Sequence, residues 1–219
     1  MSNSFNLSTS ELEIMAHKAL EAIGVASGLD SDGAYATVWC EVRGLEGLAM
    51  LIRDFDALVG SPSYSGEILD AGGLSALVVA PMAIDLAMVK DRVLKVYNIR
   101  SPIAALAYAV RRARNGQWFK LIWGNSGAVA AEGTAVISCL GSEIVETLAI
   151  TSGKGLAPPV SLVNVTASEL EKRRMRALTE GLNLNTDLYL DLLKAAKRIL
   201  VPASENSRSG AGAEVDDND

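Results

Sequence analysis

The sequence predicts a mixed α/β domain in which helices flank a mixed sheet. Apolar residues recur at helical spacing behind clear helix-start signals, as in the stretch that follows Ser8 and Glu11. Short runs rich in β-branched and aromatic residues, such as 118–123 and 134–140, have the length of strands. The chain has 219 residues, of which 49% are hydrophobic, so it can bury a core without disulfide support.

Helix-start signals and apolar spacing together predict seven helices. Ser8 and Thr166 are each followed three positions later by a glutamate, which is the spacing of a capping box. Ser101 and Pro102 predict a sharp helix start with the serine as N-cap. Pro81 lies inside the fourth helix, where a proline is expected to cause a kink. The predicted helices are 8–23, 30–42, 48–59, 74–92, 101–114, 166–180 and 187–200.

The predicted strands are separated by turns that contain glycine. Strands 134–140 and 143–150 are expected to pair as an antiparallel hairpin about Gly141 and Ser142. The other predicted strands are 67–70, 93–97, 118–123 and 160–165. This order of elements predicts N-terminal helices over 1–60 that pack on the main domain, a mixed α/β domain over 61–200 and a C-terminal tail over 201–219.

Charge and hydropathy exclude several classes of protein. The longest runs without a charged residue, 71–84 and 155–168, have 14 residues each, whereas a membrane-spanning helix needs about 20. The first seven residues contain no Lys or Arg and no apolar stretch of signal-peptide length, so we expect a cytoplasmic protein. The net charge of −6 argues against nucleic-acid binding.

Cysteine and histidine usage restricts the possible chemistry. Cys40 and Cys139 lie far apart in apolar settings, which is typical of reduced, buried thiols. His17 is the only histidine, so the sequence excludes a histidine-rich metal site and the usual serine–histidine or cysteine–histidine machinery. Residues 90–120 carry eight basic residues and one acidic residue. The positive charge of this segment favours the binding of a small anion near it.

Three places are candidates for ligand binding. Arg100 and Ser101 precede a predicted helix, and free amides at a helix N-terminus favour anions; ordinary capping is the alternative. Asn125 and Ser126 follow a predicted strand, a common ligand position in α/β folds, although a plain turn has the same sequence signature. The tail over 201–219 has the composition of a flexible acidic terminus. Its candidate residues are Ser204, Glu205 and Arg208.

The tail carries a resemblance to a family. Its sequence Val-Pro-Ala-Ser-Glu-Asn-Ser-Arg, followed by Gly-Ala-Gly-Ala and Asp-Asn-Asp, is similar to the C-terminus of an uncharacterised bacterial domain of unknown function of about 200 residues. The resemblance extends over nearly the whole chain, including the helix start at Ser8. It implies that the tail is docked and ordered.

A more remote resemblance links residues 7–126 to the type 2 malate/L-lactate dehydrogenases. It implies an NAD or NADP cofactor, an α/β fold unlike the Rossmann fold and a homodimer. Four segments carry it. Residues 43–46 (Arg-Gly-Leu-Glu) lie where those enzymes have Arg-Gly-His-Asp-Ser-His-Gly, and residues 70–74 resemble their Asp-Gly-x-Gly-Gly-x-Gly stretch. Residues 98–105 resemble their Asn-Ser-x-His-Phe-Gly-Ala-Ala, and residues 125–126 resemble the end of their Thr-Asn-Ser.

The departures from that family concern its histidines. An ungapped match places Leu48 where the dehydrogenases have the histidine that acts as hydride-transfer base, and Ser101 where they have the histidine of the third motif. Because leucine cannot transfer a proton, 2-hydroxy-acid dehydrogenase activity is not expected.

Three functional hypotheses follow from the sequence. The first is a protein that binds a small anion or nucleotide on a catalytically degenerate dehydrogenase-like scaffold, near Arg100, Ser101, Asn125 and Ser126. The second is an enzyme of different chemistry that uses tail residues. The third is a structural or interaction protein without a small-molecule site. A homodimer is expected because the related dehydrogenases dimerise and the apolar content is high.

Overall fold

A seven-stranded mixed sheet and its flanking helices form the fold, which confirms the predicted α/β class. The computed structural model describes residues 4–89, 93–139, 144–160 and 163–199. In these ranges the α-helices are α1 (Thr9–Ala22), α2 (Leu29–Glu41), α3 (Gly47–Arg53), α4 (Ala76–Met88), α5 (Ala105–Arg112), α6 (Ala167–Glu180) and α7 (Thr186–Ala196). The strands are β1 (Ser4–Leu7), β2 (Ser63–Tyr64), β3 (Ile68–Asp70), β4 (Leu94–Arg100), β5 (Gln117–Trp123), β6 (Ser126–Ala131), β7 (Thr134–Cys139), β8 (Ile144–Lys154) and β9 (Leu182–Asn185).

The main sheet has the order β2-β3-β4-β8-β5-β6-β7. Strands β3 and β4 pair in parallel, and the other neighbours pair antiparallel. Because β4 and β5 both run antiparallel to the β8 strand between them, their carboxyl ends lie at the same edge of the sheet. That edge carries the predicted sites at Arg100 and Asn125.

The predicted hairpin between β7 and β8 is wrong. Strand β8 instead lies inside the sheet between β4 and β5, and β7 pairs with β6 at the edge. An eleven-residue strand with Val145, Leu148 and Ile150 buried gains more by pairing on both sides than by a local turn. The predicted turn residues Gly141 and Ser142 lie outside the described residues.

The sequence did not predict β6, and the described residues of the predicted strand 160–165 form no strand. Strand β6 was not expected because its sequence, Ser-Gly-Ala-Val-Ala-Ala, is poor in β-branched and aromatic residues. In the predicted strand 160–165, Val165 forms an isolated bridge to Ile137, while residues 161 and 162 lie outside the described part of the chain. Pairing with β5 and β7 therefore overrides local propensity in β6.

Helix α4 lies in the core and tolerates Pro81 within it. Proline has no backbone N–H to donate to the carbonyl oxygen of Leu77, four residues earlier. The Tyr108 hydroxyl of α5 donates a 2.8 Å hydrogen bond to that oxygen instead. The hydrogen bond from the neighbouring helix thus satisfies the carbonyl that the proline leaves without its helical donor, and the helix continues to Met88.

The N-terminal and C-terminal elements pack together. Strand β1 pairs antiparallel with β9, and α1 contacts both α2 and α7. Helix α3 ends at Arg53, earlier than predicted, and a short 3₁₀ turn follows over Phe55–Ala57 because the Asp54 side chain turns inward to a buried hydrogen bond. The last predicted helix ends at Ala196 as an α-helix. Among the described helices, none has both the length and the apolar character needed to cross a membrane.

Cys40 of α2 is fully buried, and burial raises the pKa of its thiol to about 12. Because the thiolate is the reactive form, we expect the native protein in a Cys139→Ser background to resist the disulfide reagent DTNB at pH 8. Unfolding in guanidinium should release one reactive thiol at once. Rapid modification of the native protein would contradict the described burial.

Candidate functional site

A cavity of about 440 Å³ opens between α1, α2, α5 and α6. We call it the arginine pocket because four arginines line it, together with aromatic, aliphatic and acidic side chains from the same elements. The arginines are Arg43, Arg111, Arg114 and Arg174, and the other side chains used below are Tyr35, Trp39, Glu13 and Glu171. Four arginines against two glutamates give the lining a formal net charge of +2, in a protein whose net charge is −6.

Arg43, which follows α2, is held in place by Trp39. Its guanidinium carbon lies 4.2 Å from the centre of the Trp39 ring, and its Nη1 donates a 3.1 Å hydrogen bond to the Trp39 carbonyl oxygen. Burial, followed by the positive charge of Arg174, lowers the pKa of Arg43, and Glu171 opposes this only in part. In the part of the chain that the structure describes, no carboxylate lies within ion-pair distance of Arg43.

The other arginines of the pocket differ in their partners. Arg111 lies over Tyr35 at 5.1 Å and forms a 2.8 Å ion pair with Asp32. Arg174 forms a 2.7 Å ion pair with Glu171, one turn earlier on α6. Arg114 is exposed and makes no ion pair with any described side chain. The pocket therefore has two oriented guanidinium groups on aromatic rings and an incomplete set of acidic partners.

Burial also affects the aromatic wall of the pocket. It raises the pKa of Tyr35, although Arg111, Arg43 and Arg114 act in the opposite direction. Tyr35 is therefore a neutral hydroxyl at physiological pH, not an anion that balances the arginines. The guanidinium groups of the arginine pocket are N–H donors of the kind that pairs with carboxylate or phosphate oxygens.

Sequence reasoning did not identify this pocket. The excess of basic residues over 90–120 was a signal for Arg111 and Arg114, and the structure adds Arg43 and Arg174 from distant parts of the chain. No local motif connects these four positions, because α5 and α6 are brought together only by tertiary packing. Arg112, between two members of the set, points elsewhere and pairs with Asp85 at 3.0 Å.

The predicted site at Arg100 and Ser101 lies at the carboxyl end of β4. The Nη1 of Arg100 forms a 2.9 Å ion pair with Asp56, and the Ser101 hydroxyl accepts a 2.7 Å hydrogen bond from Arg53. Next to it, the buried Asp54 carboxylate accepts a 2.7 Å hydrogen bond from Ser75. These side chains form a polar cluster in which each is paired or hydrogen-bonded to another member. Anion binding by Arg100 and Ser101 stays a prediction.

Ser101 is the N-cap residue before Pro102, as predicted, although the helical segment begins as a 3₁₀ turn. Its side chain makes no capping hydrogen bond, and its backbone is in the left-handed region with φ 49°. A short 3₁₀ turn over Pro102–Ala104 precedes α5. The contact with Arg53 and 99% burial hold Ser101 in this conformation, which costs a non-glycine residue about 1–2 kcal/mol.

Asn125 and Ser126 lie at the same edge of the sheet, in the hairpin between β5 and β6. Ser126 is the first residue of β6 and pairs with Trp123. A cavity of about 570 Å³ is lined by both residues together with Lys120 and Ile122, but not by Arg100 or Ser101. Of the four predicted residues, this cavity brings together only Asn125 and Ser126. Ser204, Glu205 and Arg208 lie outside the described residues.

Solved structures with similar folds are dehydrogenases. A dehydrogenase from Sinorhizobium meliloti is 13% identical with a TM-score of 0.63 over 89% of this chain and 100% of that chain. Malate dehydrogenase from Pyrococcus horikoshii OT3 is 13% identical with a TM-score of 0.64, and the match covers 92% of this chain and 97% of that chain. Sulfolactate dehydrogenase from Methanocaldococcus jannaschii is 10% identical with a TM-score of 0.65, and the match covers 90% of this chain and 98% of that chain. The chain has a malate/lactate dehydrogenase-like fold.

Sequence comparison adds a family without an assigned function. Residues 7–74 match the profile of the family described as "Protein of unknown function (DUF3726)". This agrees with the resemblance to a domain of unknown function. A search among curated protein sequences finds no match.

In this dehydrogenase-like fold, Leu48 and Ser101 occupy the positions that the resemblance assigns to the two histidines. Leu48 is 1% exposed and belongs to the hydrophobic core, and Ser101 is hydrogen-bonded to Arg53. Neither side chain offers a base at neutral pH, so these two positions do not fit a hydride-transfer site.

Proposed function

We propose that the chain binds a small anionic ligand, with a carboxylate or phosphate group, in the arginine pocket of a dehydrogenase-like scaffold. The observation that carries this proposal is Arg43, a half-buried guanidinium group close to Arg174 with no carboxylate partner among the described residues. An anion between these side chains would relieve the repulsion of the two positive charges and supply the missing hydrogen-bond acceptors.

The shape and lining of the arginine pocket support a metabolite-sized ligand. A volume of about 440 Å³ is within the roughly 300–1,000 Å³ typical of small-molecule sites. Aliphatic side chains, including Val38, Val42 and Leu178, line the pocket beside the arginines. Reduced access of water strengthens charge–charge interactions, so a ligand with an apolar part and one or two anionic groups fits best.

The proposal does not include hydride transfer, because Leu48 and Ser101 supply no base. The predicted pairs Arg100–Ser101 and Asn125–Ser126 lie outside the arginine pocket and are other candidate locations for the same kind of ligand. An Arg100→Gln variant in the experiment below distinguishes the arginine pocket from the location at Arg100, since it changes no residue of the arginine pocket.

Thermal unfolding with a ligand panel tests the proposed function. The panel contains phosphate, pyrophosphate, sulfate, 2-oxo and 2-hydroxy acids, and NAD and NADP in both redox forms. A ligand present at about 100 times its dissociation constant stabilises the folded state by about 2.7 kcal/mol. For a chain of this size, the expected rise in Tm is about 5–10 °C.

Replacing Arg43 by glutamine is expected to weaken binding of the active ligand by about tenfold, since it removes a charge-assisted hydrogen bond. Isothermal titration calorimetry measures this change. The matched control is Arg112→Gln, because Arg112 is on α5 and pairs with Asp85 outside the pocket. The proposal is wrong if no ligand raises the Tm, or if binding is equally strong in the Arg43 variant.

We also propose that the protein forms a homodimer. Support comes from the exposed apolar side chains on the described surface, among them Ile122 of β5 at 43% exposure and Leu156 at 97%. Sedimentation velocity at micromolar concentration should give a mass of about twice 23.1 kDa. A monomer at all accessible concentrations would contradict this proposal.

A further inference from the structure

We infer that the acidic C-terminal segment of this chain, residues 200–219, binds the arginine pocket of the same molecule and competes with its anionic ligand. The inference rests on the proposed function of the pocket. It adds a self-regulatory contact, in which the chain itself provides a competitor for the site.

Charge complementarity is the first argument. Residues 200–219 contain five acidic residues and one arginine, which gives a net charge of −4. Four of the acids lie within six positions, namely Glu214, Asp216, Asp217 and Asp219. The arginine pocket has a formal net charge of +2 and includes Arg43 and Arg114, which have no acidic partner among the described residues. Carboxylate side chains are suitable acceptors for these guanidinium groups.

The position of the preceding segment is the second argument. The 3₁₀ turn Lys197–Ile199 contacts α1, and α1 contributes Thr9 and Glu13 to the pocket lining. The segment therefore starts on a helix that borders the pocket. Because an extended chain spans up to about 3.3 Å per residue, 20 residues can reach any point along the 14 residues of α1, which are about 21 Å long.

Attachment to the same chain makes a weak contact effective. A tethered segment has an effective concentration on the order of millimolar, so even a modest intrinsic affinity gives substantial occupancy of the pocket. An external anion must then displace the segment, and its apparent affinity falls in proportion to the fraction of open pockets.

The test uses the full chain with four neutralising substitutions, E214Q, D216N, D217N and D219N, as a tail-neutral variant. A fluorescein-labelled peptide of residues 205–219 is titrated with this variant and followed by fluorescence anisotropy. We expect saturable binding that pyrophosphate reverses and that Arg43→Gln in the same background weakens by about tenfold. Arg112→Gln should leave binding within about twofold, and a peptide with the same four neutral residues should not bind.

The inference is overturned if the peptide does not bind the tail-neutral variant, or if Arg43→Gln does not weaken its binding. Calorimetry with pyrophosphate provides the second measurement, and we expect about fivefold tighter binding to the tail-neutral variant than to the natural chain. Equal affinities would also overturn the inference. If pyrophosphate binds both proteins equally and depends on Arg43, the small-anion function stands without the tail contact. If no small anion binds, the proposed function fails even where the peptide binds.

Discussion

Replacing Gly47 by alanine is expected to destabilise the protein by about 3 kcal/mol or more, because the first residue of α3 lies against the backbone of α2. An added Cβ would overlap the Thr37 carbonyl oxygen and lie 2.8 Å from the Glu41 backbone nitrogen. These are backbone atoms of a buried helix and cannot rotate away. The Glu41 carboxylate also accepts a 2.8 Å hydrogen bond from the Leu48 N–H, so a shift of α3 would break this contact too.

Thermal or urea unfolding of Gly47→Ala measures the effect, and the expected loss in Tm is about 10 °C. Gly33→Ala is the matched control, because an added Cβ there would meet the end of the Leu20 side chain at 3.0 Å and would lie at an ordinary contact distance of 3.5 Å from the Leu77 carbonyl oxygen. Alanine also favours the helical conformation relative to glycine, so this control should stay within about 1 kcal/mol of the natural protein. Equal stability of the two variants would show that α2 and α3 are not in such close contact.

Replacing Asp54 by alanine is expected to destabilise the protein by about 3 kcal/mol, because this carboxylate is the centre of a buried polar cluster. Asp54 is 1% exposed and accepts a 2.7 Å hydrogen bond from the Ser75 hydroxyl, and Arg53 lies 3.4 Å from its other oxygen. Ser75 in turn caps α4 by accepting a hydrogen bond from the Leu77 N–H. The alanine variant leaves the buried hydroxyl without its acceptor and loosens the start of α4.

Asp56→Ala is the control for Asp54→Ala. Asp56 pairs with Arg100 at 2.9 Å, but its side chain is 69% exposed, and surface ion pairs contribute about 0–1 kcal/mol. Asp54→Asn retains one acceptor oxygen and should recover part of the loss. Chemical denaturation measures the free energy of unfolding of the three variants. If Asp56→Ala lost as much stability as Asp54→Ala, burial would not explain the importance of Asp54.

The sequence by itself determined the elements whose stabilising interactions join residues close together in the chain. The capping boxes at Ser8 and Thr166 both form, and α1 and α6 begin where these signals predict. The reason is that the cap residue and its glutamate are only three positions apart, so no distant contact is needed to bring them together. The residues at the two histidine positions were likewise evident from the sequence, since identity alone excludes a proton-transfer role for leucine.

Tertiary structure alone decided the sheet order and the pocket. Strands β7 and β8 have the local signature of a hairpin, yet β8 pairs with β4 and β5 because burying both of its edges satisfies its backbone groups and its apolar side chains together. The arginine pocket joins Arg43 and Arg174, which are more than a hundred positions apart. Their proximity depends on the position of α6 next to the segment that follows α2, where the Arg173 side chain donates a 3.3 Å hydrogen bond to the Arg43 carbonyl oxygen, and no local spacing encodes this long-range contact.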